Sequence, residues 1–247
     1  MKSLMIPIFL FGLSLPCSAH EMWLEPRSLE GSPYQVDLVV GQDFSGSRGV
    51  WIPTNVVRAE WITDQGAQPI QSRYGDIPAI SLESVSAGDR VVYESQPELL
   101  RYSNSDKFQA FGQHKGYPDL YAQHQARGLS GRIVEAYSRH AKLLVGKFQN
   151  DAQDGLRIEF VVDADQSAAT LFYQQAPLAG HQVILFQGQQ QRIERTDAQG
   201  RVVLDLVPGV PALLDAVVIE AVDPSGRRGI EQAQWFSYWA STYLTPR

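Results

Sequence analysis

Tyr34-Gln35-Val36-Asp37-Leu38-Val39-Val40 is the stretch on which the fold turns. Apolar residues at Tyr34, Val36 and Leu38 alternate with polar ones before an apolar pair, and residues typical of turns bound the run, Gly31-Ser32-Pro33 before it and Gly41 after it. That pattern suits a pleated strand with one face on a core. Arg90-Val91-Val92-Tyr93-Glu94 has the same character, so antiparallel β structure is expected from His20 to about Arg101.

The next segment changes period. Between about Ser105 and Lys147, Phe108, Phe111, Tyr117, Leu120, Tyr121, Ile133, Val134, Tyr137, Ala141 and Leu144 recur at mixed spacings of three and four. This predicts two helices, broken near Gly128 to Gly131. From Leu156 strands return in Arg157-Ile158-Glu159-Phe160-Val161-Val162, His181-Gln182-Val183-Ile184-Leu185-Phe186 and Gly200-Arg201-Val202-Val203-Leu204-Asp205-Leu206. The expected fold is therefore mainly β, in two β-sandwich-like units. The first, 20–150, carries the helical segment at about 105–147. The second, 156–247, is immunoglobulin- or transthyretin-like, and polar Asn150 to Gly155 marks the boundary.

The amino-terminal residues form a separate text. Met1-Lys2 is a short basic start, Leu4 to Leu15 is apolar, and Cys17-Ser18-Ala19 is a small-residue cleavage pattern. Residues 1–19 thus resemble a secretory signal cut between Ala19 and His20, and periplasmic export is the expectation. Pro16 stands where a lipoprotein signal favours Gly, Ala or Ser, which argues for ordinary cleavage. No later segment has the roughly 20 uninterrupted apolar residues of a membrane helix, so no transmembrane segment is expected after cleavage.

Composition narrows the chemistry. The single cysteine, Cys17, lies in the leader, so the mature chain has neither disulfides nor thiolate ligands. A metal site must then use histidine, carboxylate, amine or water. The formal charge is −6, and loss of Lys2, the one charged leader residue, leaves 20 basic against 27 acidic residues, or −7. No nucleic-acid partner is expected at that balance. Gly-x-Ser-x-Gly, a cysteine nucleophile and a phosphate loop are all absent, so hydrolytic chemistry has little support and no catalytic residue is assigned.

A mature terminus at His20 would put an amine and an imidazole on one residue, a chelating pair suited to copper or nickel. Neither His-x-x-x-His nor His-Glu-x-x-His occurs, so further ligands must come from tertiary structure. His140, read as helical beside Tyr137 and Lys142, is the first candidate partner and His114 the second. Glu21 and Glu25 alternate with Met22 and Leu24, which would place both carboxylates on one strand face with Trp23, as ligands or beside ligands. His181, at a strand start next to a turn, is expected to be structural. Trp235, Tyr238, Trp239 and Tyr243 would serve either as a sugar-stacking platform or, more commonly, as packing.

Several separated stretches together resemble one bacterial family. These are His20-Glu21-Met22-Trp23-Leu24-Glu25-Pro26, Val40-Gly41-Gln42-Asp43-Phe44, Ala136-Tyr137-Ser138-Arg139-His140-Ala141-Lys142, Pro177 to Gly180, Thr196 to Val202, and Trp235-Phe236-Ser237-Tyr238-Trp239-Ala240. The chain is similar in them to NikM-like periplasmic proteins, often described as nickel or cobalt uptake components. Members usually carry tyrosine at the place of His140, and many carry a histidine in the strand that here reads Asp215-Ala216-Val217-Val218-Ile219-Glu220. The resemblance implies a periplasmic β-rich protein; with His20 as the anchor for copper or nickel, the expected function is a non-enzymatic protein of metal uptake or handling that presents the ion to a membrane importer or outer-membrane receptor. The alternative is a metal-free envelope adaptor that uses its β-sandwich surfaces. A third, weaker reading is an oxidative copper enzyme acting on polysaccharide, which would need a second histidine beside His20.

Overall fold

The computed structural model describes residues 20–28, 32–129, 131–146, 151–222, 230 and 232–245. The expected signal sequence, residues 1–19, lies outside them. The strands are β1 (Glu21–Pro26), β2 (Tyr34–Gln42), β3 (Ser45–Gly49), β4 (Val56–Thr63), β5 (Gly66–Pro69), β6 (Ile80–Leu82), β7 (Arg90–Ser95), β8 (Glu98–Arg101), β9 (Val134–Leu144) and β10 (Ile158–Val162). They continue as β11 (Ala168–Tyr173), β12 (Ala176–Pro177), β13 (Gln182–Gln187), β14 (Gln190–Arg195), β15 (Arg201–Val203), β16 (Ala212–Ala221) and β17 (Trp235–Leu244). Two helices, α1 (Ser105–His114) and α2 (Leu120–Ala126), sit between β8 and β9. The fold is mainly β and sandwich-like, as the alternating runs imply, and no described helix is long and apolar enough to cross a membrane.

A nine-stranded sheet runs β14-β13-β16-β17-β9-β7-β4-β5, with β8 also paired to β9. Strands from both sides of the expected 150/156 boundary share it. The join is the parallel pairing of β9 with β17, from Glu135↔Trp235 to Leu143↔Tyr243. One face of this sheet is covered by the β1-β2-β3-β6 sheet and by the helices. The other is covered by β10-β11-β12-β15. Side-chain alternation along β9 decides which layer each residue meets: Tyr137, Ala141 and Leu143 join the cores under β1 and the helices, while Val134, Ala136 and Leu144 join the core under β10.

The helical reading is corrected from Gly131 to Gly146, and Lys147 lies outside the described residues. Both helices precede Gly128, and the segment carrying His140 is strand β9. β9 lies inside the sheet with layers on both faces, and every residue from Val134 to Leu144 except Arg139 is buried. A strand covered on both sides has no polar face, so its apolar spacing mimics a helix. The true helices have local causes. Asn104 caps α1, its Oδ1 accepting from the Lys107 N–H at 3.0 Å. Gly112 lets α2 approach, since a Cβ there would stand 2.8 Å from the Leu120 Cβ.

In the polar segment 151–155, the buried side chains of Asp151 and Asp154 form a cross-link. Lys142 on β9 places its Nζ 3.2 Å from Asp151, 3.0 Å from Asp154 and 3.0 Å from Glu159. Arg90 on β7 binds Asp154 at 2.8 Å. Burial acts to lower the Lys142 ammonium, and the three carboxylates outweigh it, so its pKa is raised and the charge persists. The segment between the two halves is thereby anchored to the central sheet.

Candidate metal centre

β1 pairs with β2 so that Glu21 lies opposite Gly41, next to the β2–β3 hairpin. That hairpin turns at Asp43 and Phe44, both left-handed, with φ of 53° and 58°. Two central residues at positive φ are what a tight hairpin with the strand twist requires, and glycine or asparagine usually supplies them. Here Phe44 is held in place by edge contacts with Trp23 at 5.6 Å and Tyr243 at 6.0 Å. The turn folds back over β1, and the Asp43 backbone N–H donates to Glu21 Oε2 at 3.0 Å. The Asp43 side chain is exposed, whereas Glu21 is only 1 % exposed.

α1 delivers the third group. His114 is its last residue, and its carbonyl accepts from Gln182 Nε2 at 2.7 Å, which ties the helix end to β13. The His114 Nε2 is buried and has no hydrogen-bond partner. One donor atom from each of Glu21, Asp43 and His114 lies within 4.8 Å of the others. Nitrogen and oxygen ligands bind first-row divalent ions at about 2.0–2.2 Å, so donors on a tetrahedral ion are about 3.4 Å apart. Closing the group on one ion would draw its donors, now within 4.8 Å of one another, closer together.

Lys115 follows His114 and sets the electrostatics. Its Nζ donates to Glu21 Oε1 at 3.0 Å and to Asp215 Oδ2 of β16 at 2.8 Å, and it lies 4.8 Å from the Trp239 ring centroid. Burial works against the ammonium, yet Asp215 and Glu21 hold its pKa above the ordinary value. Glu21 is pushed up to about 7, chiefly by burial and next by Asp215, with Lys115 opposing. Burial, then the neighbouring Lys115, lowers the His114 pKa, which favours the neutral imidazole that a metal requires. Two buried carboxylates against one ammonium leave a net negative charge when all are ionised, and Asp43 adds a second at the rim. A proton or a cation relieves it.

The sequence-derived ligands separate in space. His114 belongs to the group. His140 does not: its Nδ1 is 3.3 Å from the Trp239 carbonyl and its Nε2 is 3.6 Å from Glu94, on the β10 side of the central sheet. Alternation on β9 turns Arg139 toward the β1 layer and His140 away from it, so one ion cannot be shared by His114 and His140. His20 is exposed, and its carbonyl accepts from Arg139 Nη2 at 3.3 Å. Its ring is outside the group of three. The donors that do converge are one nitrogen and two oxygens.

The other expectations resolve as follows. Glu21 and Trp23 do share a strand face with Glu25, to which the Trp23 indole donates at 2.8 Å. The His181 Nε2 engages the Val217 carbonyl at 3.1 Å, a structural contact. Trp235, Tyr238, Trp239 and Tyr243 are all buried on β17, so they pack the core and offer no open platform. Asp43, Lys115 and Asp215 were not among the sequence candidates. The only local hint was an Asp-Phe pair where a hairpin tip usually carries glycine. Comparison of the chain with protein-family models, with curated proteins and with solved structures finds no match.

Proposed function

We propose that this protein binds a divalent transition metal ion through Glu21, Asp43 and His114 and serves periplasmic metal uptake or handling, passing the ion to a membrane importer or outer-membrane receptor. The observation that carries the reading is the convergence of a His114 ring nitrogen with the Glu21 and Asp43 carboxylates, on an imidazole whose Nε2 is buried and has no hydrogen-bond partner. A mixed nitrogen and oxygen set suits nickel, copper and neighbouring divalent ions better than calcium or magnesium. A free His20 amine, next in the chain to Glu21, would add a further nitrogen donor and raise the preference for copper or nickel.

The resemblance to NikM-like proteins supports the same assignment. The strand in which many of those proteins carry a histidine is β16 here, and it contributes Asp215 to the cluster through Lys115. The test is to isolate the chain from the periplasm and to measure intact mass and metal content together. Mass beginning at His20 with about one nickel or copper ion per chain supports the proposal. A processed chain without transition metal, and unable to take one up, leaves the metal-free envelope adaptor as the better reading.

A further inference from the structure

A cavity of about 270 Å³ opens on the opposite face of the central sheet, away from Glu21 and His114. It is smaller than the roughly 300–1,000 Å³ of sites for drug-sized ligands, so its occupant would be small. Its two charged walls are of opposite sign. On one side, His140 places Nδ1 3.3 Å from the Trp239 carbonyl and Nε2 3.6 Å from Glu94 Oε1. The Glu94 carboxylate is half-buried at the cavity.

On the other side stands Arg157, its guanidinium carbon 4.3 Å from the Tyr238 ring centroid. Nη2 makes a long 3.3 Å hydrogen bond to the Tyr173 hydroxyl and lies 3.8 Å from Glu220. Nε is buried and has no hydrogen-bond partner. Nε and Nη2 form the edge of the guanidinium that accepts a carboxylate in a forked pair. Between the charges the lining is mixed, with Val57, Pro97 and Phe236 apolar and Ser95 and Ser138 polar.

We infer that this cavity binds a small apolar α-amino acid as its zwitterion, the carboxylate on the Nε edge of Arg157, the ammonium on Glu94, and the side chain against Val57, Pro97 and Phe236. A simple anion would meet Glu94, and a simple cation would meet Arg157. Only a ligand that carries both charges at short separation satisfies both walls. The site is independent of the metal proposal.

The experiment is calorimetric titration of the whole chain with L-leucine, L-methionine and L-phenylalanine, and with the amine and the acid that each lacks one charge of leucine (isopentylamine and 4-methylpentanoate). At least one amino acid should bind, and both single-charge analogues should bind at least tenfold more weakly. Arg157→Gln and Glu94→Gln should each weaken the amino acid at least tenfold. Val57→Trp, at a position 51 % exposed and so tolerant of change, should block binding by filling the mouth while the fold persists. No binding of any of the three amino acids at millimolar concentration overturns the inference. So does binding that survives Val57→Trp, or an acid or amine that binds as tightly as leucine.

Discussion

Glu21 and Lys115, 94 positions apart in the chain, meet as a buried ion pair at 3.0 Å, and Lys115 simultaneously holds Asp215 at 2.8 Å. One ammonium therefore joins the edge sheet, the helical insertion and the central sheet at the place where the candidate ligands converge. Both the stability of this junction and its appetite for a cation follow from that charge balance.

Replacement of Lys115 by methionine would leave two buried carboxylates without a counter-charge. Loss of one member of a buried ion pair typically destabilises by about 3–5 kcal/mol. Urea denaturation at neutral pH should show a fall of that order for Lys115→Met. Unchanged stability would mean that the carboxylates are already protonated or solvated.

Asp43 can be tested without breaking its turn. At φ 53° glycine is at ease, and the backbone N–H to Glu21 survives the change. Asp43→Gly should thus keep thermal stability within about 0.5 kcal/mol. It should weaken metal binding at least tenfold, about 1.4 kcal/mol. A variant that binds metal as well as the parent would remove Asp43 from the ligand set.

Glu135 makes the fold sensitive to pH. It is completely buried and accepts from the Tyr102 and Ser237 hydroxyls, while the Trp239 indole donates to Ser237 at 2.8 Å. Burial pushes its pKa up to about 7 from the ordinary 4.5, and the two hydroxyls only partly oppose that. The unfolded chain loses this proton near pH 4.5 while the folded chain keeps it to about pH 7, so its contribution is present below that window and is lost as pH rises through it. At 1.36 kcal/mol per pH unit the loss is about 3 kcal/mol. Denaturation curves at pH 5 and pH 8, which span most of that window, should show the parent losing about 2.5 kcal/mol more than Glu135→Gln. Equal losses in the two proteins would contradict the raised value.

The legible and illegible parts of the molecule divide by how many faces of an element are covered. Val36 and Leu38 announce β2 because alternation survives in that stretch, and Glu21 could be placed on a face with Trp23 and Glu25 by the same rule. β9 could not be recognised, because layers on both sides bury Glu135, His140 and Lys142 along with the apolar residues, and the polar–apolar contrast vanishes. That one misreading displaced His140, whose strand alternation sends it to the far face of the sheet. Asp43 was hidden because its role depends on a turn that Phe44 stabilises through Trp23 and Tyr243. Lys115 and Asp215 are 100 positions apart, and only the folded chain brings them together.

The most direct test of the metal assignment is calorimetric titration of the whole chain with nickel and with copper, beside His114→Ala under the same conditions and with circular dichroism to confirm that both are folded. The expected result is one ion per parent chain and an affinity at least tenfold weaker in the folded variant. A parent that takes up neither ion, or a His114→Ala chain that binds as tightly as the parent, would contradict a metal centre built on His114.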